Sequence, residues 1–119
     1  AGSIVNVASV AGYTGGGGVA YVASKAAMIG MTKNIAMRCA NVNVRCNALC
    51  PGSVVTPMTM GMKKENLDPD MMSAMAKHAD LSLPVCMPEE VANAILFLAG
   101  DESSAITGQI IVIDHGADL

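Results

Sequence analysis

Residues 3–9, SIVNVAS, decide the fold, because an apolar, β-branched run that ends in small side chains is typical of a buried parallel strand. A glycine-rich stretch follows at 12–18, GYTGGGG. A run rich in Ala, Met and Ile then extends from Val19 to about Ala40. This order predicts a strand, a loop and a helix with one mostly apolar surface.

The middle of the chain predicts a second strand and a variable segment. Residues 42–52, VNVRCNALCPG, form an apolar run closed by Pro-Gly, which indicates a strand that ends in a turn. Residues 53–87 carry turn signals and a short helix, in which Asp68 can cap the first turn and Pro69 can occupy its first position.

The last third predicts a helix and a strand. Glu89 and Glu90 follow Pro88, where the helix dipole favours negative charge, and Gly100 ends the helix. Residues 107–116, TGQIIVIDHG, predict a third strand. Strands that alternate with helices form parallel sheets covered by helices, so we expect an α/β fold in one domain, residues 1–119.

Composition excludes several classes of protein. Of 119 residues, 52% are hydrophobic and 14% are charged, as in globular domains. Apolar runs such as AILFLA at 94–99 are far shorter than the roughly 20 residues that cross a bilayer, so we expect a soluble, cytoplasmic protein without a membrane partner. The basic residues stand among apolar positions and lack aromatic neighbours, which argues against a nucleic-acid partner.

The cysteines and histidines show no metal-binding pattern in the sequence. No C-x-x-C pair occurs, and neither His78 nor His115 stands at ligand spacing from a cysteine. We expect reduced, mostly buried thiols at Cys39, Cys46, Cys50 and Cys86, no metal site, and an exposed turn at His115.

The glycine run partly matches a dinucleotide-binding pattern. GGGGVA at 15–20 satisfies G-x-G-x-x-G/A. Five residues separate Gly15 from Ser9, however, and the acid expected near position 40 is missing, because the first acid is Glu65. We therefore interpret 15–18 as an ordinary loop.

A phenol and an ammonium lie four positions apart in the pattern YVASK, residues 21–25. In a helix, Tyr21 and Lys25 share one face, so the ammonium can approach the phenol or bind the same ligand. The alternative is a half-buried tyrosine beside a lysine that extends to solvent. Ser9 stands at the C-terminal end of the first strand, outside which α/β proteins bind ligands, so hydroxyl, phenol and ammonium can converge.

Four segments in this order resemble the C-terminal half of the short-chain dehydrogenase/reductase family. The segments are SIVNVASVAG (3–12), YVASKAAMIGMTK (21–33), VRCNALCPGSVVTPM (44–58) and PEEVANAILFLAGDESSAITGQIIVIDHG (88–116). The resemblance implies the C-terminal part of a Rossmann-like, doubly wound parallel sheet. The family's N-terminal half, which grips most of the dinucleotide, has no counterpart in residues 1–119, so we expect these residues alone to be inactive.

The resemblance implies an NAD- or NADP-dependent oxidoreductase that interconverts an alcohol and a ketone. Ser9 would hydrogen-bond the substrate oxygen, and Tyr21 would donate or remove its proton while also contacting the cofactor. Lys25 would hold the ribose hydroxyls of the nicotinamide and favour the phenolate.

The resemblance also assigns a nicotinamide-binding turn. Pro51 and Gly52 would lie beneath the nicotinamide, the backbone of Val54 would meet its carboxamide, and Thr56 would bond the carboxamide or a phosphate. The alternative for Pro51 and Gly52 is a plain turn that ends the strand.

Residues 57–87 fall where the family has its substrate lid. Methionines crowd this stretch, among them Met58, Met60, Met62, Met71, Met72 and Met75. Flexible thioethers can adapt to an apolar substrate, for which we select Met58 as a contact, or can fill a loosely packed cover. Acyl-carrier thioester ketones, steroids, and sugars or polyols all stay open as substrates.

Association with further copies is also implied by the resemblance, through the Tyr-Lys helix and the last helix and strand. The small residues Ala23, Ala26, Ala27 and Gly30 would allow close helix approach in a homodimer or homotetramer. The alternative function is a non-catalytic, self-associating binding module that uses the apolar helix and an open strand edge.

Overall fold

Three parallel strands form the sheet in the computed structural model, which describes all 119 residues except the side chain of Lys64. The strands are β1 (Gly2–Val7), β2 (Val44–Pro51) and β3 (Ile110–Ile113), in the order β1-β2-β3. Val5 is paired with Asn47 on β2, and Leu49 is paired with Ile111 on β3. The α/β fold with a three-stranded parallel sheet is therefore confirmed.

Five α-helices connect and cover the strands. They are α1 (Val10–Thr14), α2 (Val19–Cys39), α3 (Pro57–Met60), α4 (Pro69–Met75) and α5 (Pro88–Ala99). Asn6 of β1 donates to Thr32 of α2 at 2.9 Å, whereas Ser3 donates to the Leu98 carbonyl of α5 at 2.7 Å. Because odd and even positions of a strand point to opposite faces, α2 and α5 cover the two faces of the sheet.

The first strand and the glycine-rich loop differ from the sequence-based expectation. β1 ends at Val7 rather than at position 9, and α1 forms where a loop was expected from position 12. The Ser9 hydroxyl accepts from the Ala11 N–H at 3.1 Å, which caps the helix, and Gly15 ends it at φ 86°. A serine cap and a left-handed glycine thus stabilise a short helix in a stretch whose glycines favoured a loop.

The helix starts predicted from capping residues are confirmed. The Asp68 side chain accepts from the Asp70 N–H at 3.0 Å, and Pro69 begins α4. Pro88 begins α5 with Glu90 in its first turn. The helix α3 was not predicted; Thr56 caps it and Pro57 occupies its first position.

Arg45 holds the end of α5 against the sheet. Its guanidinium donates to the carbonyls of Leu98 and Gly100, each at 3.0 Å, and to the Ser103 hydroxyl at 3.0 Å. The last carbonyls of a helix have no partner within the helix, so this cation satisfies them. Arg45 is therefore a structural residue.

Asn47 fixes the loop before β3 and is completely buried. Its side-chain amide donates to the Ile106 carbonyl at 2.9 Å and accepts from the Gln109 N–H at 3.0 Å. Since buried polar groups are costly without partners, these two bonds determine how the chain enters β3.

Across the described residues, every helix is too short or too polar to span a lipid bilayer.

Candidate active site

The helices α1 and α2 touch through their backbones at Lys25. A Cβ atom on Gly12 would lie 2.5 Å from the Lys25 carbonyl carbon and 2.6 Å from the Ala26 nitrogen. Only glycine permits this approach, because backbone atoms cannot move aside as side chains can. The contact fixes α1, which begins at Ser9, against the helix that carries Tyr21 and Lys25.

Tyr21 and Lys25 share one face of α2, as the four-residue spacing predicts. The Lys25 ammonium lies over the Tyr21 ring, 5.6 Å from its centre, which is cation–π distance. The Tyr21 side chain stays accessible, since 47% of the residue is exposed. The pair is therefore formed and open to a ligand.

Ser9 stands at the N-cap of α1 and is buried. The Ala11 methyl carbon and the Cδ1 atom of Tyr21 lie 3.6 and 3.5 Å from the point where a Cβ of Gly17 would stand. Ala11 of α1 and the Tyr21 ring therefore both lie next to Gly17. The Ala11 N–H uses a lone pair of the Ser9 oxygen, which leaves the hydroxyl hydrogen able to donate.

The Pro51–Gly52 turn packs against the end of β3. The Gly52 N–H donates to the Ile113 carbonyl at 2.8 Å. A Cβ on Gly52 would lie only 2.8 Å from the Cβ of Asp114, so glycine is needed for packing alone. Asp114 accepts from the N–H groups of Gly116 and Asp118 at 2.8 and 3.0 Å, which fixes the turn that Gly52 contacts.

The segment from Val54 to Thr59 is held by its own hydrogen bonds. The Val54 carbonyl accepts from the Thr59 hydroxyl at 2.7 Å, and the Thr56 hydroxyl oxygen accepts from the Thr59 N–H at 3.2 Å. Val54 also forms a parallel bridge with Cys86. The predicted nicotinamide-contacting residues thus lie on an ordered turn, where the Thr56 hydroxyl already caps α3.

A cavity of about 490 Å³ lies between the glycine loop and α4. Gly15 and Gly16 form part of its wall, and a Cβ on Gly16 would lie 3.6 Å from Met75. Val10, which follows Ser9, also lines it. The cavity therefore begins at the first turn of α1 and is covered by α4, but Ser9, Tyr21 and Lys25 are not among the described residues that line it.

The methionines of the predicted lid divide into two groups. Met71, Met72 and Met75 line the cavity. Met58 stands on α3 with 68% of its surface exposed and, among the described residues, it is not part of the wall. The cavity geometry thus offers no support for Met58 as a substrate contact and points to the methionines of α4.

Burial and neighbouring carboxylates affect the groups at the far side of the cavity. Burial, assisted by a hydrogen bond and the charge of Asp114, raises the pKa of Asp118 above its usual range. Burial, followed by the charges of Glu90 and Asp114, raises the pKa of the Cys86 thiol. Both shifts favour the protonated, neutral forms of these two groups.

The open parallel sheet with its cavity beyond the carboxyl ends of β1 and β2 is the arrangement of nucleotide-binding α/β domains. A family model described as Enoyl-(Acyl carrier protein) reductase matches residues 1–118. Short-chain dehydrogenase/reductase cdmF of Talaromyces verruculosus is 45% identical over 120 residues. The chain belongs to the short-chain dehydrogenase/reductase family.

Further relatives agree with this assignment. The 3-oxoacyl-[acyl-carrier-protein] reductase FabG of Thermotoga maritima is 48% identical over 120 residues, which cover 97% of this chain and 45% of FabG. For cdmF the shares are 95% and 47%. The solved structure of 4-hydroxyisoleucine dehydrogenase complexed with NADH superposes with a TM-score of 0.77 at 37% identity, covering 96% of this chain and 46% of that protein. The chain thus spans about half the length of the curated relatives it matches.

Proposed function

We propose that the protein containing this chain is an NAD(P)-dependent oxidoreductase that interconverts an alcohol and a ketone. The observation that carries the proposal is the placement of the Lys25 ammonium over the Tyr21 ring, beside the helix that Ser9 begins. The relatives support it by their names, which describe a 3-oxoacyl reductase and a dehydrogenase complexed with NADH.

Ser9 orients the substrate. Its oxygen accepts from the Ala11 N–H, so its hydroxyl hydrogen is directed away from that bond and can donate to a carbonyl oxygen. Because Ser9 is buried and its oxygen caps α1, the hydroxyl has little freedom to rotate away from the substrate.

Tyr21 exchanges the proton. During reduction the phenol gives its proton to the oxygen of the ketone, and during oxidation the phenolate removes the proton of the alcohol. The Lys25 ammonium, 5.6 Å from the centre of the Tyr21 ring, is placed to attract the negative charge that develops on the phenol oxygen during oxidation.

The residues around this pair fit a nicotinamide dinucleotide. Residues 1–64 contain six basic side chains and no acid, which suits an anionic ligand with ribose hydroxyls. Lys25 would hold ribose hydroxyls, and the turn of Pro51, Gly52, Val54 and Thr56 would face the nicotinamide. When bound, the cofactor supplies or accepts the hydride.

The substrate is proposed to carry an apolar chain. The cavity that Val10 borders is lined by methionines of α4 and by Leu81 and Leu83, and such walls bind apolar groups and adapt to their shape. An oxo or hydroxy group on an aliphatic or polycyclic body fits this wall better than a sugar or polyol.

The rest of the binding machinery is proposed to lie outside this chain. Residues 1–119 form the C-terminal catalytic half of one Rossmann-type domain, with the lid at about 57–87, and the N-terminal half grips the remaining dinucleotide. Two or four copies would associate, with the face of α2 around Gly30 as one contact.

The decisive experiment replaces Tyr21 with phenylalanine in the whole protein. We expect kcat/KM for an apolar ketone to fall by about 100-fold to 10,000-fold, the range that a positioned acid/base group contributes. Cofactor binding, measured by nicotinamide fluorescence, should persist, because the aromatic ring and Lys25 remain.

Tyr13→Phe is the matched control, since Tyr13 is also exposed and lies on α1. It should keep the wild-type rate. Full activity in Tyr21→Phe, or an equal loss in both variants, would show that Tyr21 does not exchange the proton.

A further inference from the structure

Three potential metal ligands meet at the edge of the sheet, away from Tyr21 and Lys25. The Cys86 sulfur, a Glu90 carboxylate oxygen and a His115 ring nitrogen all lie within 4.8 Å of one another. They come from the end of the lid segment, the first turn of α5 and the turn after β3. The fold therefore gathers a thiol, a carboxylate and an imidazole from three separate segments.

Hydrogen bonds position the segments that carry Cys86 and Glu90. The Cys86 backbone is fixed by a donated bond to Ser53 at 2.8 Å and an accepted bond from Val55 at 3.0 Å, and its thiol faces the Ile113 carbonyl at 3.4 Å. Glu90 reaches back to the Met87 N–H at 3.4 Å as part of the helix cap. The cluster is thus ordered by the fold before any ion binds.

His115 adopts a backbone conformation that its side chain does not explain by itself. Its φ is 56°, in the left-handed region that non-glycine residues rarely occupy. This conformation places Nε2 at 2.8 Å from the Glu90 carboxylate. This hydrogen bond joins the turn after β3 to the first turn of α5.

We propose that Cys86, Glu90 and His115 bind a zinc ion. Sulfur, imidazole nitrogen and carboxylate oxygen are the three donor types that Zn²⁺ takes in proteins. Calcium and magnesium prefer oxygen ligands alone, so the thiol and the imidazole select against them.

The distances suit a tetrahedral ion after small rotations. With zinc–ligand bonds of about 2.0–2.3 Å, ligand atoms stand roughly 3.4–3.6 Å apart. The 2.8 Å contact of His115 with Glu90 must widen by about half an ångström, and the sulfur must approach by about 1 Å at most. Both side chains of the contact are partly exposed, which leaves them free to rotate.

Charge around the cluster favours a cation. All ten carboxylates of the chain lie in residues 65–119, together with one lysine, Lys77. Asp114 stands close enough to influence the thiol, but the N–H groups of Gly116 and Asp118 occupy its two oxygens. The chain thus supplies three ligands and leaves the fourth position to water.

A bound zinc ion would join the lid end, α5 and the turn after β3. Cys86 is bridged to Val54, so the ion would also stiffen the turn that precedes α3. The site shares no side chain with Ser9, Tyr21 and Lys25, so this proposal does not depend on the proposed function.

The test uses the whole protein, stripped of metal by a chelator and titrated with Co²⁺, a spectroscopic substitute for zinc. We expect a thiolate-to-cobalt charge-transfer band that Zn²⁺ displaces and that Cys86→Ser abolishes. Glu90→Gln and His115→Asn should weaken binding by at least about 10-fold, a loss that changes around metal ligands commonly cause. Asparagine tolerates the left-handed backbone, so the turn is retained.

Glu89→Gln and Cys39→Ser are matched controls, because they remove a neighbouring carboxylate and a different thiol; both should bind cobalt as the wild type does. A missing band, or a band that survives in Cys86→Ser, overturns the proposal. Should the Cys86 variant fail to fold, X-ray absorption of the zinc-loaded wild type decides. One sulfur beside nitrogen and oxygen donors supports the site, and any other sulfur count refutes it.

Discussion

Strand β2 and the lid segment 57–87 differ in how the chain holds them. From Cys46 to Pro51 every residue of β2 is buried, and Arg45 and Asn47 beside or within this run hold the residues that lead into β3. Among the described side chains of 57–87, Cys86 alone is buried. The strand is fixed by packing and by satisfied polar groups, whereas the lid is fixed mainly by local caps and turns.

From this difference we expect β2 to determine stability and the lid segment to determine which substrates the cavity accepts. Changes near β2 should unfold the protein, because they leave cavities or unpaired polar groups in a close-packed region. Changes in the lid should alter what the cavity accepts at little cost to stability. The residues around Tyr21 and Lys25 lie between these extremes, since they are exposed but rest on a backbone contact with α1.

Replacement of Asn47 by alanine should produce the largest loss of stability. It removes two buried hydrogen bonds and leaves the Gln109 N–H without its acceptor, while the Ile106 carbonyl keeps its bond from Arg45. We expect the free energy of unfolding to fall by about 3 kcal/mol, as urea denaturation would measure.

Asn66→Ala is the control for this change, because Asn66 is exposed in the lid segment. Its effect should stay within about 0.5 kcal/mol. Equal losses in the two variants would erase the contrast between strand and lid.

Alanine at Gly12 tests the contact between α1 and α2. The added methyl would meet the Lys25 backbone at 2.5 Å, so the two helices must separate. We expect a loss of about 1–3 kcal/mol, the usual cost of overpacking. The rate should fall as well, because Ser9 moves with α1. Thermal denaturation and kcat/KM measured on the same preparation would show both effects.

Gly30→Ala is the matched change within α2, where an added Cβ meets no atom of this chain within 4 Å. In an isolated chain it should stabilise by roughly 0.5–1 kcal/mol, because alanine is the better helix former. Destabilisation together with a lower oligomeric mass in sedimentation would show that this face packs against another copy.

The smallest effect concerns alkaline pH. Burial raises the pKa of the Cys46 and Cys50 thiols above the value of about 8.5 for an exposed thiol. Between the unfolded and folded pKa values the folded state binds more protons, so stability falls as pH rises. The stability that the two protonated thiols contribute is fully present below about pH 8.5 and is lost as pH rises through their folded pKa values.

Urea midpoints measured on both sides of pH 8.5 would check this dependence. Each thiol contributes a slope of at most about 1.4 kcal/mol per pH unit. Cys46→Ala should reduce the slope. An unchanged slope in that variant would show that the thiol does not contribute to the alkaline loss.

Local rules were sufficient where one element contains the whole pattern. The four-residue spacing of Tyr21 and Lys25 predicts a shared helix face, and Asp68 and Pro88 mark helix starts, because helical periodicity and capping act within a few residues. The order of strands and helices likewise predicts the parallel sheet, since crossover connections leave few alternatives.

The sequence did not predict interactions between residues that are far apart along the chain. In the sequence Arg45 does not differ from the other basic residues, because its hydrogen-bond partners lie more than 50 positions away. His115 and Glu90 are 25 positions apart, so no spacing rule brings them together. The helix α1 was missed for a different reason, because its glycines favour a loop while the cap from Ser9 and the tight contact with α2 favour a helix.

Because Gly12 has no side chain, the backbones of α1 and α2 are in contact, which restricts how the two helices can move. Two helices in backbone contact cannot slide past one another without a clash, so α1 and α2 should move as a single rigid body. The α4 cover approaches the loop between these helices at Gly16 through Met75, whose flexible thioether can lose and regain contacts at low cost. We therefore expect the cavity to open and close by motion of α4, while Ser9, Tyr21 and Lys25 keep their mutual geometry throughout the cycle.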